Sequence, residues 1–162
     1  MNFVRYYLLL LAIAFSFGGF TFYAAVVIPI SSDVFDATSQ GFVTQKVTHV
    51  INIASGMTLL LLIWDGIALR RSRTRKINRV YGVLLVVYTV CVVSLVALHP
   101  RLDAMIDPGS MSVDEPDRFY VHHQIYLWLS TIQWAVTFGL IWVVAKSVDA
   151  SSPRKTTEQS KS

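Results

Sequence analysis

Residues 118–126 read Arg-Phe-Tyr-Val-His-His-Gln-Ile-Tyr, and two kinds of chain meet there. Before them runs an acidic loop, 101–118, with Asp103, Asp107, Asp114, Glu115 and Asp117. After them, from Tyr120 to Ala145, no Asp, Glu, Lys or Arg occurs. At about 1.5 Å per residue, such a run exceeds the roughly 30 Å of a bilayer's hydrocarbon core. Segment 120–145 therefore reads as a membrane-spanning helix, and the paired histidines mark its boundary with water.

Three further apolar runs lie upstream, at about 6–28, 47–69 and 80–98. The third is rich in valine, a strand former in water, but its length and continuity fit a spanning helix, which satisfies its own backbone in lipid. Composition agrees. Of the 162 residues, 54% are hydrophobic and only 15% charged, against about 25% charged in soluble domains. The expected fold is all-α: a four-helix transmembrane bundle, up-down-up-down, filling residues 1–148. The Ser/Thr/Lys-rich tail 149–162 has no apolar face and is expected to be disordered. The run after Arg5 is longer than a signal h-region of about 7–15 residues, so a retained anchor is expected.

Orientation follows from the basic residues. Arg5, the block Arg70, Arg71, Arg73, Arg75, Lys76 and Arg79, and the group Lys146, Arg154, Lys155 and Lys161 make up 11 of the 14 lysines and arginines. All lie at one set of segment ends, so both termini and the 70–76 turn are expected to be cytoplasmic. Lys46, Arg101 and Arg118 lie at the other set. The basic turn should attract anionic lipid headgroups through Arg70, Arg71, Arg73, Arg75 and Lys76, at about 1 kcal/mol per charge. Asp65 should pair with this cluster. Nucleic acid is an unsuitable partner for so short a run tethered at a membrane.

Within the runs, Pro29 should stop or kink the first helix and Pro100 should close the third. Gly18 and Gly19, on a face with Ser16 and Tyr23, suggest a close helix contact. Thr48, Asn52, Ser55 and Gly56 form one stripe, and His123, Tyr126, Ser130, Gln133 and Thr137 another, by offsets of three and four. Such stripes face neighbouring helices as hydrogen-bonding glue, or else line a polar path. No carboxylate or lysine lies mid-membrane, which argues against an ion-coupled pump. Cys91, the single cysteine, falls mid-run and reads as inertly buried; a disulfide within one chain is excluded.

All four histidines, His49, His99, His122 and His123, fall at the same set of helix ends. In a compact bundle they would share one layer, and bundle cores hold metals or haem between facing helices. Imidazole suits haem iron or a divalent transition metal, so haem b or a transition metal is a candidate cofactor. Asp103, Asp117 and Tyr126 would then orient the imidazoles. The plain alternative is that histidine, being amphipathic, needs no ligand at a membrane boundary. Neither H-x-x-x-H nor H-E-x-x-H occurs, and a single depth of histidines argues against a diheme cytochrome. In the segment His99-Pro100-Arg101-Leu102-Asp103, Asp103 has both Arg101 and His99 as potential partners. No phosphate-binding glycine loop and no recognisable nucleophile–base pair is present.

The segments GGFTFYAAVVIPI, QGFVTQKVTH, LHPRLD and YLWLSTIQW resemble those of an uncharacterised bacterial family of four-helix membrane proteins, over about two-thirds of the chain. A looser likeness links Gly19, Pro29, Arg118, Phe119 and His123 to the transmembrane-protein-205-like family. Both imply a multi-pass protein, in the first case in a bacterial inner membrane, and neither implies catalytic residues. The expected function is a non-enzymatic accessory or interaction role, with a protein partner or a second copy. A haem- or metal-binding redox or sensor module is the alternative, and a small transporter protomer ranks third.

Overall fold

The structure, a computed structural model, describes residues 3–107, 112–113 and 115–149. It is all-α apart from one short hairpin. The elements are α1 (Phe3–Phe22), a π-helical turn (Tyr23–Val27), α2 (Ile28–Val34), α3 (Ala37–Leu69), α4 (Arg75–Asp103), β1 (Ile106–Asp107), β2 (Ser112–Val113) and α5 (Pro116–Asp149). The α1–α2 unit, α3, α4 and α5 are each long and apolar enough to cross a membrane. The chain is thus a multi-pass membrane protein built as an up-down-up-down four-helix bundle. The spans pack in a ring, α1 against α3, α3 against α4, α4 against α5 and α5 against α1. One end carries the histidines and the other the arginine-rich turn; below they are called the histidine end and the arginine end.

The helices outrun the apolar segments because their ends are capped in water. Asp36 caps α3, its Oδ1 accepting from the Ser39 amide at 3.0 Å, so α3 begins ten residues before the apolar run at Val47. Thr74 caps α4, accepting from the Ile77 amide. Pro116 opens α5, with Asp117 in the first turn facing the helix dipole favourably.

Neither proline stops its helix. Pro29 lacks an N–H, and its ring crowds the carbonyl four residues back. The chain answers with the wider π turn before it and continues helically to Val34. Pro100 lies one turn from the end of α4, where few bonds remain to lose, and its carbonyl accepts from the Ala104 amide at 3.0 Å. The turn expected at Pro108-Gly109 and the tail 150–162 lie outside the described residues; Ile106 pairs antiparallel with Val113.

The main core is a dry layer toward the arginine end: Leu9, Ile13, Leu62, Tyr81, Tyr88, Val92, Leu140, Val143 and Val144. A smaller cluster, Leu95, Leu98, Leu102 and Tyr126, lies toward the histidine end. The close glycine contacts fall elsewhere than at Gly18 and Gly19, where an added Cβ would meet nothing within 4 Å. They are Gly66, where a Cβ would approach the Tyr81 ring to 2.9 Å, and Gly139, at 3.0 Å from Leu84 Cδ1. The Tyr81 ring cannot yield, since its hydroxyl donates to the Leu62 carbonyl at 2.7 Å. Gly66→Val is expected to cost about 1–3 kcal/mol by overpacking. Gly18→Ala should be neutral or gain up to about 1 kcal/mol of helix propensity. Thermal unfolding in detergent ranks the two variants.

Candidate functional site

Polar side chains from all four spans meet in one cavity between the smaller cluster and the dry layer. Ser16 comes from α1, Thr48, Asn52 and Ser55 from α3, Tyr88 from α4, and Tyr126, Ser130, Gln133 and Thr137 from α5. Phe17, Phe20 and Trp134 supply an aromatic wall. The cavity leaves about 30 Å³ free at the scale of a water molecule, and about 10–15 Å³ of such space admits one water. The stripes expected from helical spacing therefore do face inward, and they bond to one another and also leave a void.

The bonds explain which groups are committed. Tyr126 Oη donates to Asn52 Oδ1 at 3.2 Å, and Tyr88 Oη donates to the Ser55 carbonyl at 3.3 Å. Ser130 and Thr137 return their hydroxyl protons to the carbonyls of Tyr126 and Gln133 in their own helix. Thr58, fully buried below, donates toward Ser16 Oγ at 3.1 Å. The amide Nδ2 of Asn52 is left over: it is buried and has no hydrogen-bond partner. A buried donor without a partner costs about 1–3 kcal/mol, so this is the one strongly demanding group in the cavity wall.

Above the cavity, two of the four histidines come together. The rings of His49 and His99 stack at 5.5 Å between centroids, and His99 lies 6.3 Å from the Tyr126 ring. His99 Nε2 approaches Asp103 Oδ2 at 3.6 Å, one helical turn on. The partner of Asp103 is thus His99 and not Arg101, a pairing that depends on α4 continuing past Pro100. The other two histidines make their contacts within α5. His122 Nδ1 donates to the Arg118 carbonyl at 2.8 Å, and His123 stacks on Phe119 at 5.8 Å. Asp117 is exposed in the first turn of α5. Among the described residues no three His, Cys, Asp or Glu side chains converge to hold a metal ion. Equal depth along neighbouring helices does not set the direction in which each ring points around its helix axis, and both α5 rings find their partners within α5 itself.

Below the cavity, the dry layer seals the bundle, with Leu9, Leu62 and Leu140 at 0% exposure. Beneath it lies an ionic clamp that ties all four spans. Asp65 of α3 is 2% exposed. Its Oδ2 accepts from Arg73 Nη2, and its Oδ1 lies 3.4 Å from Arg5 Nε of α1. Arg73 Nε donates to Ser147 Oγ of α5 at 2.8 Å, and its guanidinium lies 4.3 Å over the Tyr81 ring of α4. The expected pairing of Asp65 with the basic turn is thereby made by one residue. Arg73, expected to face lipid headgroups with its neighbours in the turn, does not: it is 7% exposed and folded inward. Arg5 joins the clamp, which its position as a lone charge before an apolar run did not reveal. Cys91 is buried and free. Comparisons with family models, curated proteins and solved structures found no match.

Proposed function

We propose that the protein is a non-catalytic membrane accessory or sensor protein that takes up a small uncharged solute in its cavity. The orphaned Nδ2 of Asn52 carries the reading: it asks for a hydrogen-bond acceptor, and the space before it fits one or two groups the size of water. The cavity lies on the histidine side of the sealed layer, lined there by Thr48, Asn52 and Tyr126. The positive-inside bias puts both termini and the arginine-rich turn in the cytoplasm, so the solute arrives from the opposite side. The resemblance to one uncharacterised bacterial four-helix family supports a bacterial inner membrane as the setting. Passage through the bundle is disfavoured by the sealed layer at Leu9, Leu62 and Leu140 and by the clamp behind it. Binding at a dead end, and not transport, is what this arrangement favours.

The test is thiol accessibility in a Cys91→Ala background. A small water-soluble thiol reagent added outside intact cells is expected to modify Ser130→Cys and Gln133→Cys while Leu140→Cys stays unmodified. Modification only from the cytoplasmic side would overturn the orientation, and modification of Leu140→Cys would overturn the dead end. Absorption spectra and metal analysis of the purified protein address the metal reading, which the stacked His49 and His99 keep open. A Soret band or stoichiometric metal, lost in His49→Ala and His99→Ala, would replace the solute reading with a haem or metal site.

A further inference from the structure

A second hollow lies between α1 and α3, and where the cavity is polar this one is apolar. Its volume is about 390 Å³, and Phe15, Gly19, Val47, Val50, Ile51 and Ala54 line it, with Lys46 at its rim. Clefts that hold ligands run from roughly 300 to 1,000 Å³. Its walls offer almost no polar surface apart from the lysine. The hollow exists because two side chains are small: Gly19 has none, with nothing within 4 Å of where a Cβ would stand, and Ala54 opposite is little larger. From Lys46 to Ala54 it extends along α3 for about 12 Å.

We propose that this groove is a lipid site, holding one acyl chain of an anionic phospholipid whose headgroup phosphate pairs with Lys46. The charge pattern argues for that occupant. Lys46 is exposed, lies one turn before His49 at the histidine end, and has no acidic partner among the described residues. A lysine at this depth extends its ammonium along the apolar surface to the headgroup layer. The apolar strip below it then fits a methylene chain. A helix of a second copy, about 10–12 Å across with its side chains, is too wide to enter a furrow made by two small side chains. The groove and the solute cavity are separate sites, so either proposal stands if the other fails.

Native mass spectrometry of the full chain, released from nanodiscs of equal parts phosphatidylglycerol and phosphatidylcholine, tests this. The wild type is expected to retain one phospholipid per protomer, favouring phosphatidylglycerol about fivefold, the Boltzmann weight of one lysine–headgroup attraction. Lys46→Gln should lose the preference and keep the lipid. Gly19→Leu, which has open space for its side chain, should obstruct the furrow beside Ala54 and lose lipid of both kinds, with thermal stability at or above wild type. No preference in the wild type, unchanged retention in Gly19→Leu, a retained fatty acid in place of a phospholipid, or a dimer that Gly19→Leu dissociates would each overturn the proposal.

Discussion

Asp65→Asn is expected to lower the stability of the bundle by about 3–5 kcal/mol, the cost of leaving buried charge without its counter-ion. The substitution keeps the shape of the side chain and removes its charge. Two guanidiniums, Arg5 and Arg73, both more than nine-tenths buried, would then face each other with no anion between them. The Tyr81 ring and Ser147 Oγ offset part of the charge on Arg73, but neither carries a full negative charge. For a chain of this size each kcal/mol shifts the melting temperature by roughly 2–4 °C, so the midpoint in detergent should fall by about 6–20 °C. Removing all three charges together, as Arg5→Met, Asp65→Leu and Arg73→Met, should cost far less, because buried ion triads are often replaced by apolar groups without loss. A single Asp65→Asn variant that melts with the wild type would mean that Asp65 is not the counter-ion of the clamp.

Leu140→Ala is expected to have the next largest effect, and on two properties at once. Leu140 is 0% exposed and packs with Leu9, Leu62, Tyr88 and Val143 in the dry layer. Truncating a core leucine costs about 2–5 kcal/mol. In a bilayer the unfolded reference also lies in hydrocarbon, so packing and not transfer from water supplies the loss, and the lower half of that range is expected. The second effect is on the seal. A methyl-lined gap between the polar cavity and the clamp extends the cavity toward the arginine end. A thiol reagent from the histidine side should then reach Leu62→Cys in the Leu140→Ala, Cys91→Ala background and not in the Cys91→Ala background alone. Equal protection in both would show that the seal does not depend on Leu140.

The polar cavity illustrates how far helical spacing reaches. Asn52 and Ser55 on one run, and Ser130, Gln133 and Thr137 on another, are offset by three and four. Hydrogen-bonding groups in a bilayer have nowhere else to turn but inward. Their stripes were legible for that reason. The void between them was not, because it depends on how closely four helices approach one another, and no single helix carries that spacing. Gly18 and Gly19 make the same point from the opposite side. Small residues permit a close neighbour and do not supply one, and here the space beside Gly19 stays open.

What the sequence by itself determined was the number of spans, their boundaries to within a few turns, the polar faces and the pairing of Asp65 with the basic turn. These follow from local rules: a long apolar run in lipid must be helical, and periodicity assigns each residue a face. Only the tertiary structure decided which of the basic residues turns inward, and which histidines meet. Arg73 enters the core because Leu69, ending α3, accepts from the Ser72 and Arg73 amides and Thr74 then caps α4, a tight turn that aims this one side chain at Asp65. His49 and His99 stack while His122 and His123 make their contacts within α5, because the rotation of each helix about its own axis is fixed by packing against its neighbours, and no single helix carries that information.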